Sequence, residues 1–180
     1  RQRQMCIRDR FPVGQQKMNR DPETHLNKNF TFDSFVPGDS NRFARTVALA
    51  VAEGSGQDFN PLCIYGGSGL GKTHLLNAIG NYALVKDPGL KVRYVTSEEF
   101  TNEFIDALQN PNQSQGQIAE FNRRYRQVDV LLIDDIQFLG GKEATLDQFF
   151  HTFNALHQAN KRIVIASCLL YTSDAADEED

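Results

Sequence analysis

Long hydrophobic runs are missing from this 180-residue chain. No apolar stretch approaches the roughly eighteen residues that a bilayer-spanning helix requires, and no cleavable leader stands at the start. The expectation is a soluble, cytoplasmic protein. Cysteine is scarce as well. Cys6 and Cys168 lie towards the ends and Cys63 sits in an apolar stretch, so neither a disulfide framework nor a zinc spacing emerges. That usage suits a reducing compartment. The four histidines, His25, His74, His151 and His157, have no paired Cys or acidic ligand spacing and read as structural or surface residues. A strong charge of one sign is also lacking. The formal net charge is −4, with the first ten residues at +3 and residues 168–180 at −5, which leaves residues 11–167 at −2. A near-neutral body does not advertise indiscriminate nucleic-acid binding, so any such contact must come from a local patch.

The length suits one domain with a real core. The two ends break the pattern of their neighbours. Residues 1–10, Arg-Gln-Arg-Gln-Met-Cys-Ile-Arg-Asp-Arg, read as translated adapter sequence, and so does the acidic tail 168–180. Residues 11–29 are polar and contain Pro12, Gly14 and Pro22, which reads as a flexible linker.

What is present is concentrated in Gly66-Gly67-Ser68-Gly69-Leu70-Gly71-Lys72-Thr73. This is G-x-x-x-x-G-K-[ST], placed between the apolar stretch Leu62–Tyr65 and the helix-forming run from His74 to Ile79. Glycines let the chain curl until several N–H groups converge on one point, and the helix adds its positive end. Lys72 would reach the outer phosphates and the Thr73 hydroxyl would ligate Mg²⁺. The motif predicts a site for a nucleoside triphosphate.

Some sixty residues on, Val128–Ile133 is apolar enough for a central strand covered on both faces, and it ends at Asp134-Asp135. Carboxylates at the carboxyl end of a parallel strand lie where ligands bind in open α/β sheets. Asp134 is expected to hold the metal through water, and Asp135 to orient the attacking water. With Lys72 these form a minimal set for phosphoryl transfer.

Elsewhere, helices are expected from Ser40 to about Glu53 and from Thr96 to about Gln109, the latter opened by a Thr96–Glu99 capping box. Lys91–Val95 reads as a second strand, and Asn110–Gln115 as a loop before a shorter helix with Arg123, Arg124 and Arg126. Leu146, Phe149, Phe150, Phe153 and Leu156 recur at helical steps and read as core. Strands alternating with helices predict an α/β fold with a parallel, helix-covered sheet.

Taken together, Phe30-Thr31-Phe32-Asp33-Ser34-Phe35-Val36, Asn41-Arg42-Phe43-Ala44, the P-loop with His74-Leu75-Leu76, Leu132–Phe138 and Phe149–Leu156 resemble the bacterial chromosomal replication initiator family, DnaA. The resemblance covers residues 30–167. It implies an AAA+ ATPase domain that binds ATP or ADP with Mg²⁺, with helices on both faces of the sheet and the chain ending before a fifth strand and helical lid. By resemblance Phe32, Asp33, Val36, Asn41 and His74 lie at the nucleotide, and Ile105 and Lys142 match positions used on single-stranded DNA. Ala144 stands where some members place Arg. The family implies origin DNA, self-assembly into a filament and the replicative helicase as partners, with ATP binding as the assembly switch. Double-stranded DNA and acidic phospholipids would be met only through regions beyond this chain. A helicase loader or a DnaA-like regulator shares these motifs. A small-molecule kinase would need Arg123, Arg124 and Arg126 as lid residues, and a nucleotide-binding module that never hydrolyses would act as a switch alone.

Overall fold

A computed structural model describes residues 21–36, 38, 41–66, 71–109 and 114–168. Four strands run parallel: β1 Leu62–Gly66, β2 Val92–Thr96, β3 Val130–Asp134 and β4 Arg162–Cys168. Their order across the sheet is β1-β4-β3-β2, with Leu62 opposite Val164, Val130 opposite Arg162, and Thr96 opposite Asp134. Every residue of β3 is buried, as expected of an interior parallel strand. Helix α1, Arg42–Glu53, precedes β1; parallel pairing demands long crossovers, and the later helices supply them: α2 Lys72–Lys86, α3 Ser97–Gln109, α4 Ser114–Arg126 and α5 Glu143–Gln158.

Strand alternation divides the interior in two. Ile64, Val92, Tyr94, Val130, Leu132, Val164 and Ala166 pack with α1 and α2 on one face. Val95, Leu131, Ile133 and Ile163 pack with α3, α4 and α5 on the other, around the ring group Phe100, Phe121, Tyr125 and Phe149. Burying each such side chain contributes about 1.5–3 kcal/mol. The result is the expected three-layer α/β arrangement.

Local chemistry sets the boundaries. Thr96 N–H donates to Glu99 Oε1 at 3.0 Å and Glu99 N–H to Thr96 Oγ1 at 3.1 Å, the reciprocal capping box at the head of α3. Helix α1 stops at Gly54, whose φ of 89° is the left-handed cap that glycine adopts without a Cβ penalty.

Three expectations need correction. The linker does not extend to residue 29: residues 21–29 form a strap packed on the domain. Asp21 Oδ1 caps the Glu23 and Thr24 amides, Tyr94 N–H donates to Thr24 O at 2.8 Å, and Leu26 is 1 % exposed. One buried leucine and a few backbone bonds outweigh the polar composition. The fourth helix is no shorter than the third, each having 13 residues, because it begins at Ser114 inside the presumed loop. Phe150 faces solvent at 52 % exposure, since the apolar stripe of α5 is wider than the face that meets the sheet.

Candidate nucleotide site

The site forms at the carboxyl ends of β1 and β3. Gly71 has φ 88° and is the residue from which α2 starts. A Cβ there would lie 2.7 Å from Phe35 Cε1, so both backbone and packing require glycine. Lys72, only 9 % exposed, turns back so that Nζ donates to Gly66 O at 2.8 Å. Gly67, Ser68, Gly69 and Leu70 lie outside the described residues.

Thr73 Oγ1 donates to Asp134 Oδ2 at 2.6 Å, and Tyr94 OH donates to the same oxygen at 2.7 Å. Asp134 Oδ1 accepts the Asp135 amide at 3.0 Å. Burial, reinforced by the neighbouring Asp135 carboxylate, pushes the Asp134 carboxyl above its usual range despite these donors. A buried anion with a raised proton affinity, held against a threonine hydroxyl, is the oxygen donor set that suits a hard divalent cation. Asp135 itself sits in the left-handed region at φ 57°. Its carbonyl accepts Ser97 Oγ at 2.6 Å, which fixes the turn and leaves the Asp135 side chain half-buried.

The aromatic segment closes the other side. His74 Nε2 donates to Thr31 O at 2.7 Å, and its ring stacks on Phe30 with centroids 4.9 Å apart. Burial holds the His74 imidazole below its ordinary range against the weaker upward pull of that carbonyl. A cavity of 460 Å³ opens beside Phe35, lined by Phe32, Asp33, Phe35, Arg42, Arg45 and Thr46. That volume suits a small ligand. Arg45 lies over the Phe32 ring at 5.6 Å and bonds Phe32 O at 3.4 Å. Of the expected base-side residues, Phe32 and Asp33 line this cavity. Val36 is 75 % exposed, and Asn41 ties the preceding turn, accepting Gly38 N–H at 2.7 Å and donating to Val36 O at 3.3 Å.

Comparison with known proteins decides the family. The family model described as the bacterial DnaA ATPAse domain matches residues 26–170. The chain belongs to the DnaA family. The DnaA of Bifidobacterium animalis subsp. lactis is 72 % identical over 151 residues, covering 82 % of this chain and 26 % of that protein. The crystal structure of domain III of Thermotoga maritima DnaA superposes with a TM-score of 0.73 at 50 % identity, covering 80 % of this chain and 58 % of that one. A replication initiator DnaA bound to AMPPCP and single-stranded DNA gives a TM-score of 0.72 at 42 % identity, over 80 % of this chain and 43 % of that one. The chain thus spans about a quarter of the length of the full-length DnaA relative from Bifidobacterium. These likenesses bear out the AAA+ fold of the DnaA ATPase domain.

The expected DNA residues lie on α3 and at the head of α5. Ile105 is 37 % exposed on α3, and Lys142 is exposed at the head of α5. Arg123 is paired with Glu120 on its own helix, and Arg124 and Arg126 face solvent, an arrangement of a surface rather than a kinase lid. The sequence pattern did not signal Tyr94 or Ser97 as parts of the site. Only the folded sheet, which brings the Tyr94 hydroxyl to Asp134 Oδ2, reveals its role. Among the described residues no helix is long and apolar enough to cross a membrane, and no group of three or more His, Cys, Asp or Glu is placed to hold a metal.

Proposed function

We propose that this chain is the ATP-binding part of a replication initiator, with nucleotide occupancy as the switch for self-assembly on origin DNA and hydrolysis as its reset. The observation that carries the reading is the convergence of Gly71, Lys72, Thr73 and Asp134 at the ends of β1 and β3. In this reading Lys72 leaves Gly66 O for the β- and γ-phosphates. Thr73 and Asp134 would hold Mg²⁺, which would offset the charge of the phosphates. The cavity beside Phe32 and Asp33 takes the base, and the fixed Asp135 turn aims a carboxylate at the attacking water. Ile105 and Lys142 contact single-stranded DNA, in keeping with the relative that carries it. Duplex opening, the filament, helicase recruitment and a cytoplasmic location follow from the same reading, with residues 30–167 and the strap docked on them as the ATPase unit; residues 11–20 of the expected linker lie outside the described residues.

The test uses the full-length protein, with nucleotide binding and phosphate release measured side by side. Lys72→Ala should abolish Mg-ATP binding. Asp135→Asn should retain binding and lower phosphate release by roughly 10²–10⁴-fold, the usual scale of a positioned acid–base group. Undiminished affinity in Lys72→Ala would refute the phosphate site. Undiminished turnover in Asp135→Asn would refute the role of that carboxylate.

A further inference from the structure

Helix α2 presents His74, Asn77 and Asn81 along one face, and each bonds the strap or the residues that follow it directly. His74 bonds Thr31 O, while Asn81 Nδ2 donates to Asn27 O and Phe30 O, both at 2.9 Å. Asn77 differs from the other two because it is 2 % exposed and joins two segments at once. Its Oδ1 accepts the Asn27 amide at 2.8 Å, and its Nδ2 donates to the Thr73 carbonyl at 2.8 Å. A donor at one end and an acceptor at the other leave a single amide orientation that satisfies both. Thr73 in turn bonds Asp134. One unbroken series of hydrogen bonds therefore runs from the strap through Asn77 and Thr73 to the acidic end of β3.

We propose that Asn77 is a positioning residue that couples docking of the strap to nucleotide occupancy. Undocking the strap strands a buried Asn77 oxygen, and shifting the first turn of α2 strands its nitrogen, so each end resists disorder in the other. The strap is anchored independently by Leu26, whose methyls fill the space over Gly80, and by the Thr24–Tyr94 bond at the sheet edge. Coupling of this kind is reciprocal: whatever the bound nucleotide does for the strap, the docked strap does for the nucleotide. The chain leading into residue 21 is thereby given a lever on the phosphate site. This rests on the nucleotide reading above.

The experiment measures amide hydrogen exchange at Asn27 and Tyr94 in the full-length protein, with and without Mg²⁺ and a non-hydrolysable ATP analogue, alongside the analogue's affinity. Wild-type protein should show exchange at both amides slowed about 5–10-fold by the analogue, within the ordinary range of intramolecular coupling. Asn77→Ala and Leu26→Ala should each weaken the analogue by a similar factor and erase the slowing, and the double variant should be no weaker than the poorer single. Asn77→Asp keeps the acceptor for Asn27 but not the donor to Thr73. It should protect the strap in the nucleotide-free protein and lose the nucleotide response. Because Leu26→Ala lies outside the phosphate site, it tests the coupling even if Asn77→Ala does not fold. Exchange that ignores nucleotide in a wild-type protein that binds it, or losses that multiply independently, overturns the proposal. A wild-type protein that binds no nucleotide overturns both this proposal and the function on which it rests.

Discussion

Gly80→Ala sets two effects of known size against each other. Alanine in the middle of α2 gains about 1 kcal/mol of helix propensity over glycine. Its Cβ, however, would lie 2.6 Å from Leu26 Cδ2 and 2.9 Å from Leu132 Cδ1, both on fully buried side chains. Overpacking of this kind costs about 1–3 kcal/mol. The clash should win, leaving the variant about 1 kcal/mol less stable once the propensity gain is subtracted. Leu26→Ala alone removes a buried side chain and should cost about 2–5 kcal/mol. In the double variant the new methyl occupies part of the room that Leu26 vacated. The combined loss should therefore fall short of the sum by about 1–2 kcal/mol, within the range seen for side chains in contact. Native-state hydrogen exchange at the β3 amides reports the opening free energy of this domain inside the intact protein. Additivity within about 0.5 kcal/mol would refute the packing argument, as would a Gly80→Ala variant more stable than wild type.

Three further outcomes are expected. Gly71→Ala forces a side chain into the left-handed region and against Phe35, and the backbone strain alone, about 1–2 kcal/mol, should weaken Mg-ATP about 5–30-fold; an unchanged titration would refute it. Lys142→Ala and Ile105→Ala should each weaken single-stranded DNA binding with ATP binding intact, and Lys142→Ala should lower the salt slope by about one; unchanged DNA titrations would show that other elements meet the strand. Asp129 is pushed up by burial, but the Lys161 ammonium at 2.8 Å and the Lys91 amide at 2.9 Å outweigh this and hold its carboxyl below the ordinary 3.8. Its contribution is therefore present above about pH 4 and is lost as pH falls through the lower folded value; Asp129→Asn should cost about 1 kcal/mol at neutral pH and flatten the acid limb, checked by acid titration of the domain.

How much was legible in the sequence varies with the kind of interaction. The Thr96–Glu99 cap and the placement of Asp134-Asp135 at a strand end depend on residues close in sequence, and both appear as read. The strap did not, because Asp21, Pro22, Asn27 and Asn29 have the composition of a linker. Its attachment relies on Leu26 finding Gly80 and on backbone amides meeting Asn77 and Asn81, partners some fifty residues away. Tyr94 was invisible for the same reason. Its strand was recognisable, but which face it occupies and which carboxylate it meets are set by sheet register. Phe150 shows the limit of periodicity, which locates a helix face but not the width of what covers it.

The two margins of the sheet are unequal. Thr24 clasps β2 along its outer side, whereas among the described residues β1 has β4 as its one neighbour and turns Cys63 and Tyr65 outward. Yet β1 is the strand that delivers the phosphate loop. The strand that leads to the phosphate site is therefore held by backbone pairing on one side, where β2 is held on two. A segment or neighbouring molecule that adds a strand alongside β1 would complete its hydrogen bonding and stiffen the approach to the phosphate site from behind. An uncovered row of amides and carbonyls there is equally open to unwanted strand pairing. Stiffness of the nucleotide site and resistance to aggregation are in this way set by the same few backbone groups.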